Sequence, residues 1–345
     1  MNSGGDDGEI GTSDLTSDVS DTEKALTGLA TRAAIDAWVA ETVASLIGDQ
    51  VQEVLFRSGR IDAVYGLLTA TCQRISVKIH RPPVDLGARR LAARAQHLLA
   101  DTGFPCARPL LGPSTVQGRL VSVETLLPQG AEADAHDPRI RRVIAEGLAQ
   151  QVAVLSDHPD LVALVGQPPA WCDYRQGAWG RTHDPFFDFR TTPPEYAWLQ
   201  QFAQDASDVL THSRFDRAPV AAHCDWYSGN LRFDNGRLVA AFDWDLIADH
   251  EAVIAGTTAA TFAGESEPVG PPTPQEAAGF MRDYEQARQI RFSTDERAAA
   301  TAAMRWNIAY SARCDVTNAH GRAPPPHSAL ELLRTRRAEY FDLTW

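Results

Sequence analysis

The sequence predicts an α+β chain built in two lobes, and three observations lead there. At 345 residues the chain is long for one hydrophobic core and fits two of ordinary size. Strand-like patterns concentrate between residues 51 and 127, whereas helical spacing dominates beyond residue 130. One hairpin pattern, residues 231–242, interrupts the helical part with Asn235-Gly236 at its turn.

Composition narrows the class further. With 44% hydrophobic and 22% charged residues the chain is of ordinary globular type. A formal charge of −13, with no basic stripe, argues against a nucleic-acid partner. Residues 1–23 hold seven acids and no base, so residues 1–24 are expected to form a disordered acidic tail. That tail has no signal-peptide pattern, and no apolar run reaches membrane-spanning length. The five cysteines are scattered without a Cys-x-x-Cys pair, as in a reducing cytoplasm. Of 32 basic residues only Lys24 and Lys78 are lysines. A lysine kept inside an apolar segment against such a bias points to a need for a compact charge.

Taken in order, residues 25–47 carry Ile35, Trp38, Val39 and Val43 at helical spacing. Val51–Phe56, a turn at Ser58-Gly59-Arg60-Ile61-Asp62 and Ala63–Leu68 read as strand, glycine turn and strand. Arg74–His80 alternates, with Ile75, Val77 and Ile79 on one face and Ser76, Lys78 and His80 on the other. Residues 85–101 form a helix stopped by Gly103-Phe104-Pro105, and Arg119–Pro128 reads as an edge strand running into a linker. The expected first lobe is therefore 25–127 and the second 128–345. Further helices are expected from Ile140 to Leu155 and Tyr196 to Leu210, then at 251–262, 275–290, 295–313 and 327–341. Residues 171–198 hold eight aromatics among Gly, Pro and Asp. They suit either a flap over a ring-bearing substrate or a long loop pinned by its own rings.

The chemistry concentrates in His223-Cys224-Asp225-Trp226-Tyr227-Ser228-Gly229-Asn230 and in Asp243 beyond the hairpin. Phosphoryl transfer needs a carboxylate beside the attacking hydroxyl and oxygen ligands for Mg²⁺ close by. A loop presenting Asp225 and Asn230, with a hairpin returning Asp243 alongside, supplies all three.

This His-x-Asp-x₄-Asn loop and its closing Asp-Trp-Asp resemble the catalytic and metal loops of the aminoglycoside phosphotransferase family, relatives of the protein kinases. The resemblance spans roughly residues 50–313 and rests on Lys78 and the 223–245 block. It implies a two-lobed protein-kinase-like fold, with a small antiparallel sheet plus helix in the first lobe and a larger, mostly helical second lobe. It implies Asp225 as catalytic base, and Asn230 and Asp243 as Mg²⁺ ligands. Lys78 would contact the α- and β-phosphates of ATP, the Ser58-Gly59 turn would cover them, and the strand around Glu124 would hold the adenine. His223 would be structural, Asp245 would brace the loop, and Trp226, Tyr227 and Ser228 would face the acceptor.

In one respect the chain departs from that pattern. The kinase arrangement wants a Glu on the 85–101 helix to hold the lysine, yet its only acids are Asp85 at the start and Asp101 at the end. Gln96 is a neutral candidate for the place. Two function classes follow: an ATP-dependent transferase acting on a hydroxyl of a small molecule, or a nucleotide-binding module that acts through partners. Acids of the second lobe (Asp249, Glu251, Glu265, Glu267, Asp283, Glu285) are candidates to line a pocket for a cationic acceptor, or are plain solvated faces.

Overall fold

A computed structural model describes residues 18–59, 61–128, 130–264, 270–319 and 322–345. The chain divides into two units. The first ends at His97 and resumes over Ala107–Leu127, and the second comprises Leu98–Cys106 and Pro128–Trp345. Among the described residues no helix is long and apolar enough to cross a membrane.

The first unit opens with two short-range devices. Helix α1 spans Asp21–Thr27, and Ser20 and Glu23 close a reciprocal capping box at its start. Gly28, in the left-handed region at φ 67°, ends it. The expected tail therefore gives way to ordered chain before residue 24, and residues 1–17 lie outside the described residues. The reason is local: the Glu23 carboxylate is buried and takes hydrogen bonds from Arg32 and from the Tyr65 hydroxyl. Acid-rich composition pointed to disorder, but one acid with three donors folds the segment down. Gly28 also splits the helix expected over 25–47, and α2 runs Arg32–Ile47.

Strands β1 (Val51–Gly59), β2 (Ala63–Thr69), β3 (Arg74–Ile79), β4 (Pro109–Val116) and β5 (Arg119–Thr125) form one antiparallel sheet in the order β1-β2-β3-β5-β4. Helix α3 (Leu86–Asp101) connects β3 to β4. The alternation in β3 is used as expected. Ile75, Val77 and Ile79 are fully buried in a core with Tyr65, Leu67, Val121 and Val123, against Ile35, Trp38, Val39 and Val43 of α2. Burying each such side chain contributes about 1.5–3 kcal/mol, which fixes the register and so places Lys78 opposite Val64 and Ser122.

The second unit is mostly helical: α4 (Pro138–Leu155), α5 (Pro159–Leu164), α6 (Ala197–His212), α7 (Glu251–Thr261), α8 (Pro274–Arg288), α9 (Thr294–Asn318) and α10 (Ala329–Arg336). Helices α6, α7 and α10 pack on α9, whose residues from Ala302 to Cys314 are all buried. A helix buried all round needs small residues for close approach. A Cβ on Gly256 of α7 would lie 2.3 Å from the Ala300 carbonyl oxygen, so the two backbones nearly touch. Two strand pairs ride on this bundle. They are β6 (Val220–His223) with β9 (Leu246–Asp249), and β7 (Leu231–Asp234) with β8 (Arg237–Ala241). The β7–β8 turn has Asn235 at φ 48° and Gly236 at φ 73°, the positive pair that an Asn-Gly hairpin turn requires.

Candidate active site

In the second unit, the loop of residues 223–230 leaves β6 at His223, which is fully buried. Its ring fastens both sides of the loop. Nδ1 accepts from the Asp225 backbone N–H at 3.1 Å, and Nε2 lies 2.9 Å from the Phe242 carbonyl, to which it donates. These two bonds define the neutral tautomer protonated on Nε2. His223 therefore ties the residue that carries Asp225 to the residue before Asp243. The Cys224 N–H is held by the Asp245 carbonyl at 3.0 Å, so Asp245 braces the loop through its main chain.

Asn230 closes the other end, donating to Oδ2 of Asp225 at 2.8 Å and to its carbonyl at 3.0 Å. With the amide nitrogen spent, the amide oxygen is the atom left to meet a cation. Asp243 has φ 52°, an uncommon value for a residue other than glycine. Backbone strain held in this way at a polar loop is characteristic of functional positions. The Asp225 carboxyl is pushed up to about 6, first by burial and further by the Asp243 charge, against the lowering effect of the Asn230 hydrogen bond. A divalent cation between these groups would relieve the repulsion. The donors, one carboxylate and one amide oxygen, suit Mg²⁺, which completes its shell with water and phosphate oxygens. Among the described residues no group of three or more His, Cys, Asp or Glu could hold a metal by itself.

Trp226 overturns one expectation. It does not face an acceptor: it is 1% exposed, and its Nε1 donates to the Ile144 carbonyl of α4. Gly147 makes room for it, since a Cβ there would come within 2.6 Å of the indole. Phe104 packs on Trp226 and Trp244 at ring separations of 5.9 and 6.1 Å. The His-x-Asp pattern says nothing of this support, although an indole beside a loop carboxylate was a signal for it. Tyr227 and Ser228 are half-buried, and Ser228 bonds the Phe262 and Ala263 carbonyls.

In the first unit, Lys78 lies 3.1 Å from Asp62 at the β1–β2 turn. The α3 helix behaves differently from the kinase pattern: Asp85 caps it by accepting from the Ala88 N–H, and Gln96 donates to Glu124 at 3.1 Å. Gln96 thus engages the candidate adenine strand. Ser58 is exposed at the end of β1. The bare Cα of Gly59 gives room to Ser20, whose hydroxyl would lie 2.3 Å from a Cβ there. Nothing in the sequence pattern singled out Asp62 as a partner of Lys78.

Four of the candidate second-unit acids are committed to the fold. Asp249 accepts from Tyr174 and Arg175, Glu251 from Tyr284 and Arg288, Asp283 from Arg141, and Glu285 from Arg291 and Arg297. Glu265 and Glu267 lie outside the described residues. The aromatic segment is pinned to α9. Trp306 donates to the Gly177 carbonyl, Asn307 to that of Trp171, and Arg313 to those of Asp188 and Thr191 while covering the Phe189 ring.

A lysine-bearing antiparallel sheet followed by a helical unit with this loop and hairpin is the protein-kinase-like fold. Residues 53–288 match the profile of the phosphotransferase enzyme family (APH), and the chain belongs to that family. Similar solved structures include the amicoumacin kinase hAmiN in complex with AMP-PNP, Ca²⁺ and Ami, at 13% identity and TM-score 0.61, covering 90% of this chain and 96% of that one. Another is a thermostable mutant of aminoglycoside phosphotransferase APH(4)-Ia with ADP and hygromycin B, at 12% identity and TM-score 0.54, covering 88% and 97%. A third is the macrolide 2′-phosphotransferase MphH from Brachybacterium faecium, at 15% identity and TM-score 0.55, covering 89% and 98%. No curated protein matches the sequence.

Proposed function

We propose that the protein transfers the γ-phosphoryl group of ATP, with Mg²⁺, to a hydroxyl of a small molecule. The observation that carries this reading is the Asp225–Asn230 hydrogen bond held beside Asp243 by His223. Similar folds bind AMP-PNP or ADP alongside amicoumacin or hygromycin B, which supports a nucleotide and a hydroxylated acceptor here. Asp225 would hold the acceptor hydroxyl and take its proton as the oxygen bonds to phosphorus. A carboxylate pushed to about 6 is ionised at neutral pH yet basic enough to share that proton. Asn230 and Asp243 would hold Mg²⁺, and Lys78 the α- and β-phosphates, with Ser58, Gly59 and Glu124 as further nucleotide contacts. Bound Mg·ATP supplies the transferable group, and the metal neutralises charge on its phosphates.

A nucleotide-binding module without catalysis was the second class open in the sequence, because α3 lacks the expected acid. The Lys78–Asp62 pair weakens that ground. The test is incubation with Mg·ATP and a panel of hydroxylated acceptors, with product read by mass spectrometry. A phosphorylated acceptor that disappears with Asp225→Asn supports the proposal. Tight nucleotide binding with neither product nor ATP hydrolysis would establish the other class.

A further inference from the structure

We propose that Asp62 is the positioning carboxylate of Lys78, doing from the β1–β2 turn what an acid on α3 does in the kinase arrangement. The inference rests on the nucleotide-binding reading above. Its geometry divides the two carboxylate oxygens between two jobs. Oδ1 accepts from the Arg81 backbone N–H at 2.8 Å, which fastens the turn to the end of β3. Oδ2 lies 3.1 Å from the Lys78 ammonium and 3.7 Å from Nδ1 of His80. His80 is held in turn by the Ser122 hydroxyl, 2.7 Å from its Nε2.

This arrangement suits a support better than a chance contact. The flanking residues Ala63 and Val64 pair in register with Ile79 and Lys78, so Asp62 is attached to the strand it serves. Both partners are largely shielded, with side-chain exposures of 20% for Lys78 and 18% for Asp62. Burial alone would raise the Asp62 carboxyl, but the neighbouring His80 and Lys78 and the Arg81 N–H carry it well below the usual carboxylate range. It is therefore an anion whenever the protein is folded near neutral pH. On α3, Asp85 caps its own helix, and Gln96 donates to Glu124 and the Ala107 carbonyl. Placing the carboxylate on the turn also couples two parts of one site. The turn expected to cover the phosphates and the lysine expected to bind them are joined by a single side chain.

The scarcity of lysine makes the test clean. With only Lys24 and Lys78 in the chain, acylation of the full-length protein by a limiting amine-reactive ester, followed by peptide mapping, reports on Lys78 with Lys24 as internal reference. Asp62→Asn removes the charge but keeps an oxygen for the Arg81 N–H, whereas Asp62→Ala removes both. If the charge holds the ammonium, both variants acylate faster at Lys78 than wild type, and to a similar extent. Lys24 stays unchanged. If Asp62 only shapes the turn, Asp62→Asn behaves as wild type and Asp62→Ala alone reacts faster, which overturns the proposal. So does a Glu124→Gln variant that matches Asp62→Asn, since the pull would then belong to the whole sheet face.

A second readout is titration with a fluorescent ATP analogue. Asp62→Asn is expected to weaken binding about tenfold in wild type and to change nothing further in Lys78→Ala. An additive effect in Lys78→Ala overturns the link. If the wild type itself binds no nucleotide, the proposed function fails, and the labelling experiment still decides whether Asp62 holds Lys78.

Discussion

Asn230 gives its side-chain amide to Asp225 twice, at 2.8 Å to the carboxylate and at 3.0 Å to the carbonyl five residues earlier. The loop is thereby closed by the same residue that is proposed to offer an oxygen to the cation. Asn230→Ala is expected to cut turnover by at least about 10²-fold, the scale of losing one precisely placed polar group. Asn230→Asp should do no better, because it sets a third carboxylate against Asp225 and Asp243 and removes the donor. Steady-state rates, with circular dichroism to confirm folding, check the ranking. An Asn230→Asp variant near wild-type rate would show that the donor is dispensable.

The raised Asp225 carboxyl makes a separate prediction about stability. A group whose folded pKa lies above its unfolded value stabilises the fold below the unfolded value and loses that effect as pH rises through the folded one. Here the window runs from the ordinary 3.8 to about 6. Asp225→Asn should therefore match wild type in Tm below pH 4, exceed it increasingly up to about pH 6, and hold a constant lead above that, in the absence of divalent cation. Its turnover should fall by about 10²–10⁴-fold, the usual contribution of a general base. Thermal melts across pH 3.5–8 would expose the error if wild type stayed the more stable protein at pH 7.

Lys78→Arg should fold normally, since the guanidinium can also reach Asp62, yet transfer phosphate slowly. The larger forked group would push the phosphates out of line, and a displacement near 1 Å costs on the order of 10²-fold. A near-native rate would make Lys78 an incidental survivor of the arginine bias.

Gly147→Ala tests whether the loop carrying Asp225 is supported from α4. The added methyl would sit 2.6 Å from the Trp226 ring, with Leu238 also close at 3.2 Å. Overpacking of this kind costs about 1–3 kcal/mol, and the indole leads directly to Asp225. Both Tm and turnover should drop. A drop in Tm with unaltered turnover would mean that Trp226 supports the core alone.

How much of this was readable from sequence depends on the range of the cause. The 231–242 hairpin was legible because Asn-Gly specifies its turn locally, and the strand alternation around Lys78 was legible because one face is core. The spacing of the 223–230 loop carried a resemblance from which its roles are expected, but Trp226 was misplaced: the resemblance put it on the acceptor side, while a gap at Gly147 on a distant helix decided otherwise. The α1 helix carried its own Ser20/Glu23 capping signature, which the acidic composition around it masked. Asp62 left no local signal, since only strand pairing brings a turn residue back beside β3.

The near-touching backbones of α7 and α9 have a consequence for motion. With Gly256 seated against the Ala300 carbonyl, the two helices have no side-chain layer between them at that crossing that could loosen gradually. They part together or not at all. Their central amides should exchange hydrogen for deuterium only when the whole unit opens, and so rank among the slowest in the molecule. The Asp243-to-Asp249 segment runs directly into α7. The Asp243 carboxylate thus hangs from this slow-opening pair, whereas in the first unit Lys78 sits on the central strand β3, so the edge strands β1 and β4 should exchange before it.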